Sequence, residues 1–325
     1  MKIALITGIS GQDGSYLTEY LLSKGYEVHG LVRKIALEDP SHRLWRLKNV
    51  FDKIILHAAN IESYQSIFKI MQKIKPDECY HLASESFVSY LFEDEYSTIK
   101  TNINGIHNIL SSLKDACPEC KLYFAGSSEM FGNAEESPQN EKSRFNPRSI
   151  YGISKVAGYQ LVKNYRNQYG LFTCSGILFN HESPRRGFEF VTRKISSSIA
   201  RINKGLANEI RLGNIDSERD WGFSGDYVVA MHSMLQQEKP IDVVVATGQS
   251  FSVRDFLKIG FGEVGLNYKD YVKIDNRFYR PSEKVKLIGD ASKAKKHLNW
   301  TPTINFQELV LMMVKSDIDA LQEKN

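Results

Sequence analysis

The chain has 325 residues, 42% hydrophobic and 25% charged, with a net charge of +4. That is enough for a full core and two lobes, and it excludes a disordered or fibrous protein. The charge is too mild for a nucleic-acid surface but suits an anionic small molecule.

KIALIT (2–7) predicts a strand. A helix follows, with Tyr16, Leu17, Tyr20 and Leu21 at helical spacing and Gly25 as its stop. YEVHGLV (26–32) and KIILHA (53–58) predict strands. Tyr64, Ile67, Phe68, Met71 and Ile74 mark a helix that Pro76 ends. The alternation continues through ECYHLA (78–83), a helix near 98–116, KLYFA (121–125), a helix over about 151–169 and FTCSGILF (172–179). Beyond these, VTRKISSSIARI (191–202) predicts a helix and IDVVVAT (241–247) a strand. An amphipathic helix follows NWTPT (299–303).

Such alternation implies an α/β protein: a Rossmann-type doubly wound parallel sheet with a smaller C-terminal α/β lobe. The expected division is 1–179, completed by about 213–247, for a dinucleotide, and 180–212 with 248–325 for a substrate. No run approaches the roughly 18 apolar residues of a membrane span. MKIALITG meets a glycine too soon for a signal-peptide core. The expectation is a cytoplasmic protein without nucleic-acid or membrane partners. Cys117 and Cys120 form one CxxC pair without further ligands at zinc spacing, and Cys79 and Cys174 lie in apolar strand-like runs, so no metal is expected.

The first strand runs into TGISGQDGS, with Gly8, Gly11 and Gly14 spaced G-x-x-G-x-x-G. Glycines permit the tight turn and close approach to a pyrophosphate, and the helix N-terminus adds N–H groups and positive dipole. Strand, glycine loop and helix in this order predict dinucleotide binding by Gly8, Ile9, Ser10, Gly11, Gln12, Asp13 and Gly14. An NAD site would end the second strand with an acid. This strand ends with Arg33 and Lys34, cations that suit a 2′-phosphate, so NADP is expected rather than NAD.

SSEMFG (127–132) places two hydroxyls and a carboxylate just past a strand end, where ligands bind in open α/β sheets. Tyr151 and Lys155 then share one face of a predicted helix, where an ammonium would favour phenolate and lower the tyrosine pKa from about 10. The same Y-x-x-x-K spacing recurs at Tyr20/Lys24, Tyr96/Lys100 and Tyr159/Lys163. Context selects Tyr151, which follows the polar loop NPRSIYG and can return to the strand end carrying Ser127.

These stretches, with KGYEVHGLVRK, GILFNHESPRRG, FVTRKI, RDWG, YRPSE and LNWTP, resemble the extended short-chain dehydrogenase/reductases over nearly the whole chain. Within them the pattern is most similar to the GDP-mannose 4,6-dehydratases. The resemblance implies an NADP-dependent hydro-lyase of nucleotide-sugar metabolism and deoxysugar biosynthesis. Such an enzyme converts GDP-mannose to GDP-4-keto-6-deoxymannose by C4 oxidation, C5/C6 water elimination and hydride return to C6.

In that scheme Ser127 hydrogen-bonds O4 and Tyr151 takes the O4 proton. Lys155 lowers the tyrosine pKa and holds a cofactor ribose. Glu129 removes the C5 proton and protonates the departing C6 hydroxyl. Arg33, Asn60, Ile61, Leu82, Ala83, Ser84, Glu85, Ser86, His181 and Arg186 are implied on the cofactor side. Ser86, Ser128, Asn180, Val191, Lys194, Arg219, Arg280 and Glu283 are implied at the sugar nucleotide. A homodimer or homotetramer is implied as well.

The sequence also departs from the family. Ser127 stands where threonine is usual, Asn60 where aspartate is, and Glu85 where glutamine is. KIALEDPSHRLWRL (34–47) replaces a serine-rich loop that helps bind the 2′-phosphate and reaches a neighbouring subunit. The segment before FYRPSE is shorter. The same chemistry on GDP-N-acetylglucosamine or a GDP-heptose therefore stays open. So do a nucleotide-sugar epimerase or reductase and a noncatalytic NADP-binding protein. Epimerases usually lack the glutamate of SSEMFG, and the intact Ser127, Glu129, Tyr151 and Lys155 argue against a noncatalytic protein.

Overall fold

Seven parallel strands form the central sheet of the computed structural model, which describes residues 1–86, 95–278 and 285–322. They are β1 (Ile3–Thr7), β2 (Glu27–Val32), β3 (Ile55–Ala58), β4 (Glu78–His81), β5 (Lys121–Ser127), β6 (Thr173–Leu178) and β7 (Val243–Val245), in the order β7-β6-β5-β4-β1-β2-β3. Register is set by pairs such as Ile3 with Glu27, Ala4 with Glu78 and Leu122 with Thr173. Most central positions are buried, which is why these strands read as apolar runs. The chain order reverses between β1 and β4, and that reversal opens a crevice at the carboxyl ends of the strands.

Helices α1 (Gln12–Ser23), α2 (Tyr64–Ile74), α3 (Gly105–Ala116), α4 (Ile150–Tyr169), α5 (Val191–Asn203) and α6 (Ser224–Leu235) follow in chain order. Leu17 and Leu21 of α1 share one core with Met231 and Leu235 of α6. Ile67, Met71, Ile109 and Leu110 of α2 and α3 share another with Val162 of α4. Farther on, α7 (Val253–Glu263) and α8 (Phe306–Gln322) bury Phe256, Phe261, Val310 and Met313 against Ile195 and Ile199 of α5.

The long predicted helix near 98–116 is not uniform. It begins as Glu95–Ile99, passes through a π turn at Lys100–Asn104, and only then becomes α3. Asn102 in that turn is buried, and such π turns are frequent at functional sites. The 34–47 segment, expected as a loop, forms short helices Lys34–Glu38 and Pro40–Arg43 and a 3₁₀ turn Trp45–Leu47, anchored by buried Leu44 and Leu47. All four cysteines are free and buried. Among the described residues no acidic, histidine or cysteine cluster is placed to hold a metal, and no helix is long and apolar enough to cross a membrane.

Candidate active site

A cleft of about 1160 Å³ lies along the carboxyl ends of β1, β4, β5 and β6. Its walls hold nearly all the described residues singled out from the sequence. Gly8, Ser10, Gly11, Gln12, Asp13, Gly14, Arg33, Asn60, Ile61 and Leu82 to Ser86 line one end. Ser127, Ser128, Glu129, Tyr151 and Lys155 line the middle, and Asn180, His181, Arg186, Val191, Lys194 and Arg219 continue the wall. Ile9 is the exception: its side chain is fully buried in the core below the loop. Arg280 and Glu283 lie outside the described residues.

The glycine loop fits a dinucleotide for a steric reason. Gly8 adopts φ +73°, and a Cβ there would sit 2.8 Å from the Ala83 backbone nitrogen. A Cβ on Gly14 would meet the Gly8 carbonyl at 2.3 Å, so only glycine lets α1 settle this close to β1. Gln12 and Asp13, in the first turn of α1, bind the opposite wall. Asp13 lies 2.8 Å from His181 Nε2 and accepts a 2.8 Å hydrogen bond from Ser224, while Gln12 donates to the His181 carbonyl. Burial works to raise the Asp13 pKa, but His181, Ser224 and Gln12 outweigh it and hold the carboxyl well below its usual range. Burial likewise works to lower the His181 pKa, and Asp13 outweighs it, leaving the imidazole raised.

At the other side of the loop, the Thr7 hydroxyl accepts from Ala83 N at 3.1 Å. Asn102 extends this support. Its carbonyl accepts from Ser84 Oγ and Glu85 N, and its amide donates to the Glu85 carbonyl and to Ser154 Oγ. Ser154 in turn donates to the Tyr151 carbonyl at 2.7 Å. The π turn thus ties the Ser84–Glu85 strand end to the first turns of α4.

That first turn forms because Ser149 caps it, accepting from Gly152 N at 3.0 Å. Ser127 Oγ accepts from Glu129 N at 3.2 Å, which turns the glutamate back over the end of β5. Burial pushes the Tyr151 pKa up to about 12, against the hydrogen bond from Ser127 and the charge of Arg186. Lys155 is 4% exposed, donates to the Ala125 carbonyl at 2.9 Å, and is pushed by burial down to about 8.

Lys155 stands beside Tyr151 on one face of α4, as the spacing implies. The ammonium sits 5.6 Å from the tyrosine ring centre and is directed at a backbone carbonyl. Ser127 and Arg186 favour phenolate in this geometry, while the Glu129 carboxylate opposes it.

Among the four Y-x-x-x-K pairs, only Tyr151 and Lys155 both line the cleft. Lys100 is paired with Glu62 at 2.9 Å, and Tyr159 donates to Asp242. The cleft also holds residues that sequence reasoning missed. Glu62 and Thr101 stand near Asn60, with Thr101 donating to Glu62 at 2.7 Å. Arg148 and Ser149 flank Tyr151 in sequence, and Glu182, Phe190 and Thr192 flank Arg186 and Val191 in the wall. Asn214, Arg277 and Phe278 close the far end, where Lys194 Nζ lies 4.2 Å from the Phe278 ring centre. The 147–149 and 182–192 stretches carried a signal in NPRSIYG and NHESPRRG. The far end carried none, because loops distant in sequence assemble it.

A seven-stranded parallel sheet with a glycine loop and a tyrosine–lysine pair at its carboxyl edge is the architecture of nucleotide-sugar dehydratases and epimerases of the short-chain dehydrogenase/reductase type. The structure of RMD from Pseudomonas aeruginosa complexed with NADPH shares the fold, with a TM-score of 0.83 at 22% identity, over 98% of this chain and 100% of that one. Residues 5–313 match the family model for GDP-mannose 4,6 dehydratase. GDP-mannose 4,6 dehydratase 1 of Arabidopsis thaliana is 49% identical over 336 residues, covering 99% of this chain and 92% of the relative. The GDP-mannose 4,6-dehydratase of Vibrio cholerae is 40% identical, covering 99% and 95%. The chain belongs to the GDP-mannose 4,6-dehydratase family.

Proposed function

We propose that this chain is a GDP-mannose 4,6-dehydratase that uses NADP as an internal hydride carrier. One observation carries the reading: Glu129 stands two residues beyond Ser127, in the same cleft as Tyr151. Oxidation at C4 alone needs a hydroxyl partner and a base. Loss of water across C5 and C6 needs a further acid–base group, and Glu129 supplies it.

The bound nicotinamide would take the C4 hydride and return it at C6. Ser127 holds O4 by a hydrogen bond and Tyr151 receives its proton. Burial and the Glu129 charge hold the Tyr151 pKa near 12 in this geometry, and Ser127 and the positive charge of Arg186 work against them. The C4 ketone acidifies the C5 proton, which Glu129 removes and passes to the departing C6 hydroxyl; C5 is protonated again as hydride returns to C6, the net proton being the one taken from O4. Lys155, fixed on the Ala125 carbonyl, supports the cofactor ribose. Arg33, exposed at the glycine-loop end of the cleft, suits a 2′-phosphate and favours NADP over NAD. In this reading residues 1–179, completed by about 213–247, hold the cofactor, and 180–212 with 248–325 hold the sugar nucleotide.

The test is Glu129→Gln, with mass spectrometry of the nucleotide sugar after incubation with GDP-mannose. Wild type should yield a product lighter by one water. The variant should keep NADPH binding and lose that product. Unchanged turnover would remove Glu129 from the chemistry. Water loss from GDP-N-acetylglucosamine and not from GDP-mannose would reassign the sugar, in keeping with the altered 34–47 segment.

A further inference from the structure

Arg186 is held differently from the other arginines near it. Arg185 is paired with Glu19 at 2.6 Å and Arg193 with Asp317 at 2.7 Å, each through a terminal guanidinium nitrogen. Arg186 meets its carboxylate, Glu182, through Nε at 3.1 Å, a charge contact rather than a well-aligned hydrogen bond. Its guanidinium lies 3.6 Å from the centre of the Phe190 ring, so one face is covered. The two terminal nitrogens have no hydrogen-bond partner among the described residues, and the residue lines the cleft.

Glu182 is 2% exposed. Burying a carboxylate is costly unless charge and hydrogen bonds answer it. Its answering groups are the Arg186 guanidinium and the Thr192 hydroxyl, which donates to Oε2 at 2.5 Å. Thr192 is in the first turn of α5, while Glu182 ends the short strand Asn180–Glu182. The carboxylate is therefore fixed from two elements before it meets the arginine. The turn between them is fixed as well, by Arg186 N donating to the Ser183 carbonyl and by Ser183 Oγ donating to Gln12 of the glycine loop.

We propose that Glu182 is a positioning residue: with Thr192 behind it and Phe190 beneath the guanidinium, it aims both terminal nitrogens of Arg186 into the cleft as a two-pronged grip on a phosphate oxyanion. This rests on the reading of Arg186 as a ligand contact. A planar guanidinium binds an oxyanion bidentately only when its plane is fixed, and the carboxylate at Nε together with the ring at its face fixes that plane. Glu182 itself touches no ligand in this arrangement. It acts through Arg186 alone.

The test is a double-mutant cycle on binding, independent of turnover. NADPH affinity is followed by fluorescence and GDP-mannose affinity by calorimetry, for wild type, Glu182→Gln, Arg186→Met and the double variant. Glu182→Gln should weaken one of the two ligands about tenfold in the Arg186 background and leave it unchanged in the Met background. The ligand that shows this coupling is the one whose phosphate is gripped. Thr192→Val should weaken the same ligand by a smaller factor, which keeps the test open should Glu182→Gln fold poorly. Equal weakening by Glu182→Gln in both backgrounds, or none in either, would overturn the positioning role while leaving Arg186 as a contact. No effect of Arg186→Met on either ligand would overturn the contact itself, and the positioning role with it.

Discussion

Gly152 is where the two halves of the proposed chemistry touch. It follows Tyr151 in the first turn of α4, and its missing side chain faces the turn that carries Glu129. A Cβ there would lie 2.5 Å from the Glu129 carbonyl oxygen and 3.1 Å from Pro147 Cβ. Ordinary contact begins near 3.4 Å, so Gly152→Ala leaves a shortfall of about 0.9 Å against backbone. The stability terms oppose each other: alanine gains up to about 1 kcal/mol of helix propensity, and overpacking costs about 1–3 kcal/mol. The fold should lose no more than about 3 kcal/mol. Catalysis has no such compensation, because in the proposed chemistry Glu129 and Tyr151 act on adjacent carbons of one sugar. A misplacement approaching 1 Å costs about 10²-fold in rate. The assay is the kcat for water loss from GDP-mannose, read with thermal melting and NADPH affinity. The expected pattern is a folded protein with near-normal cofactor binding and a kcat about a hundredfold lower. A folded variant that turns over within about threefold of wild type would refute the coupling of the two elements.

The Asp13–His181 pair gives a pH signature. The carboxyl pKa is depressed, so its stabilisation is present above the ordinary 3.8 and is lost as pH falls through the folded value. The imidazole pKa is raised, so its contribution is present below the ordinary 6.5 and is lost as pH rises through the folded value. The melting-temperature gap between wild type and Asp13→Asn should therefore be widest between pH 3.8 and 6.5 and narrow above it; a gap that widens with alkalinity would contradict the pairing. Arg33→Ala should weaken NADPH about tenfold or more and leave NADH nearly unchanged in fluorescence titrations, whereas equal losses would remove its 2′-phosphate role. Asp220 is fully buried and accepts from Thr247 N, Gly248 N and Gly289 N at 2.9, 2.9 and 3.2 Å. Asp220→Ala strands those donors and should cost about 3 kcal/mol or more in urea unfolding, and a loss below about 1 kcal/mol would show that the loops re-pair.

What the sequence made legible follows from which interactions are local. The glycine loop, the β1 and β5 ends and the start of α4 are each defined within about ten residues, by turn glycines, apolar runs and the Ser149 cap. Asn102 was not legible. TNINGIHN reads as ordinary helix, and the π turn that directs its side chain inward is seen only when Ser84, Glu85 and Ser154 are beside it. The lysine was legible as a position, but its backbone partner was not. Spacing set Lys155 beside Tyr151, whereas its burial and its bond to the Ala125 carbonyl come from the packing of α4 on β5.

The four repeats of Y-x-x-x-K show why spacing alone does not define a catalytic pair. A tyrosine becomes useful as a base only where its phenol faces substrate and something other than water answers the phenolate. Tyr159 does not line the cleft, and its phenol is directed at the Asp242 carboxylate; burial first and that carboxylate second raise its pKa to about 12, against the charge of Arg166. Tyr151 reaches about the same value by burial, so the number does not distinguish the two. The surroundings do. Each has a cation that favours phenolate, Arg186 or Arg166, and a carboxylate that opposes it, Glu129 or Asp242; the difference is that Ser127 favours the Tyr151 phenolate, whereas the Tyr159 hydrogen bond to Asp242 favours the neutral phenol. In the proposed chemistry Tyr151 is therefore set apart by its place in the cleft, with Ser127 brought from β5 and Lys155 one helical turn away, rather than by a spacing that the other three pairs share.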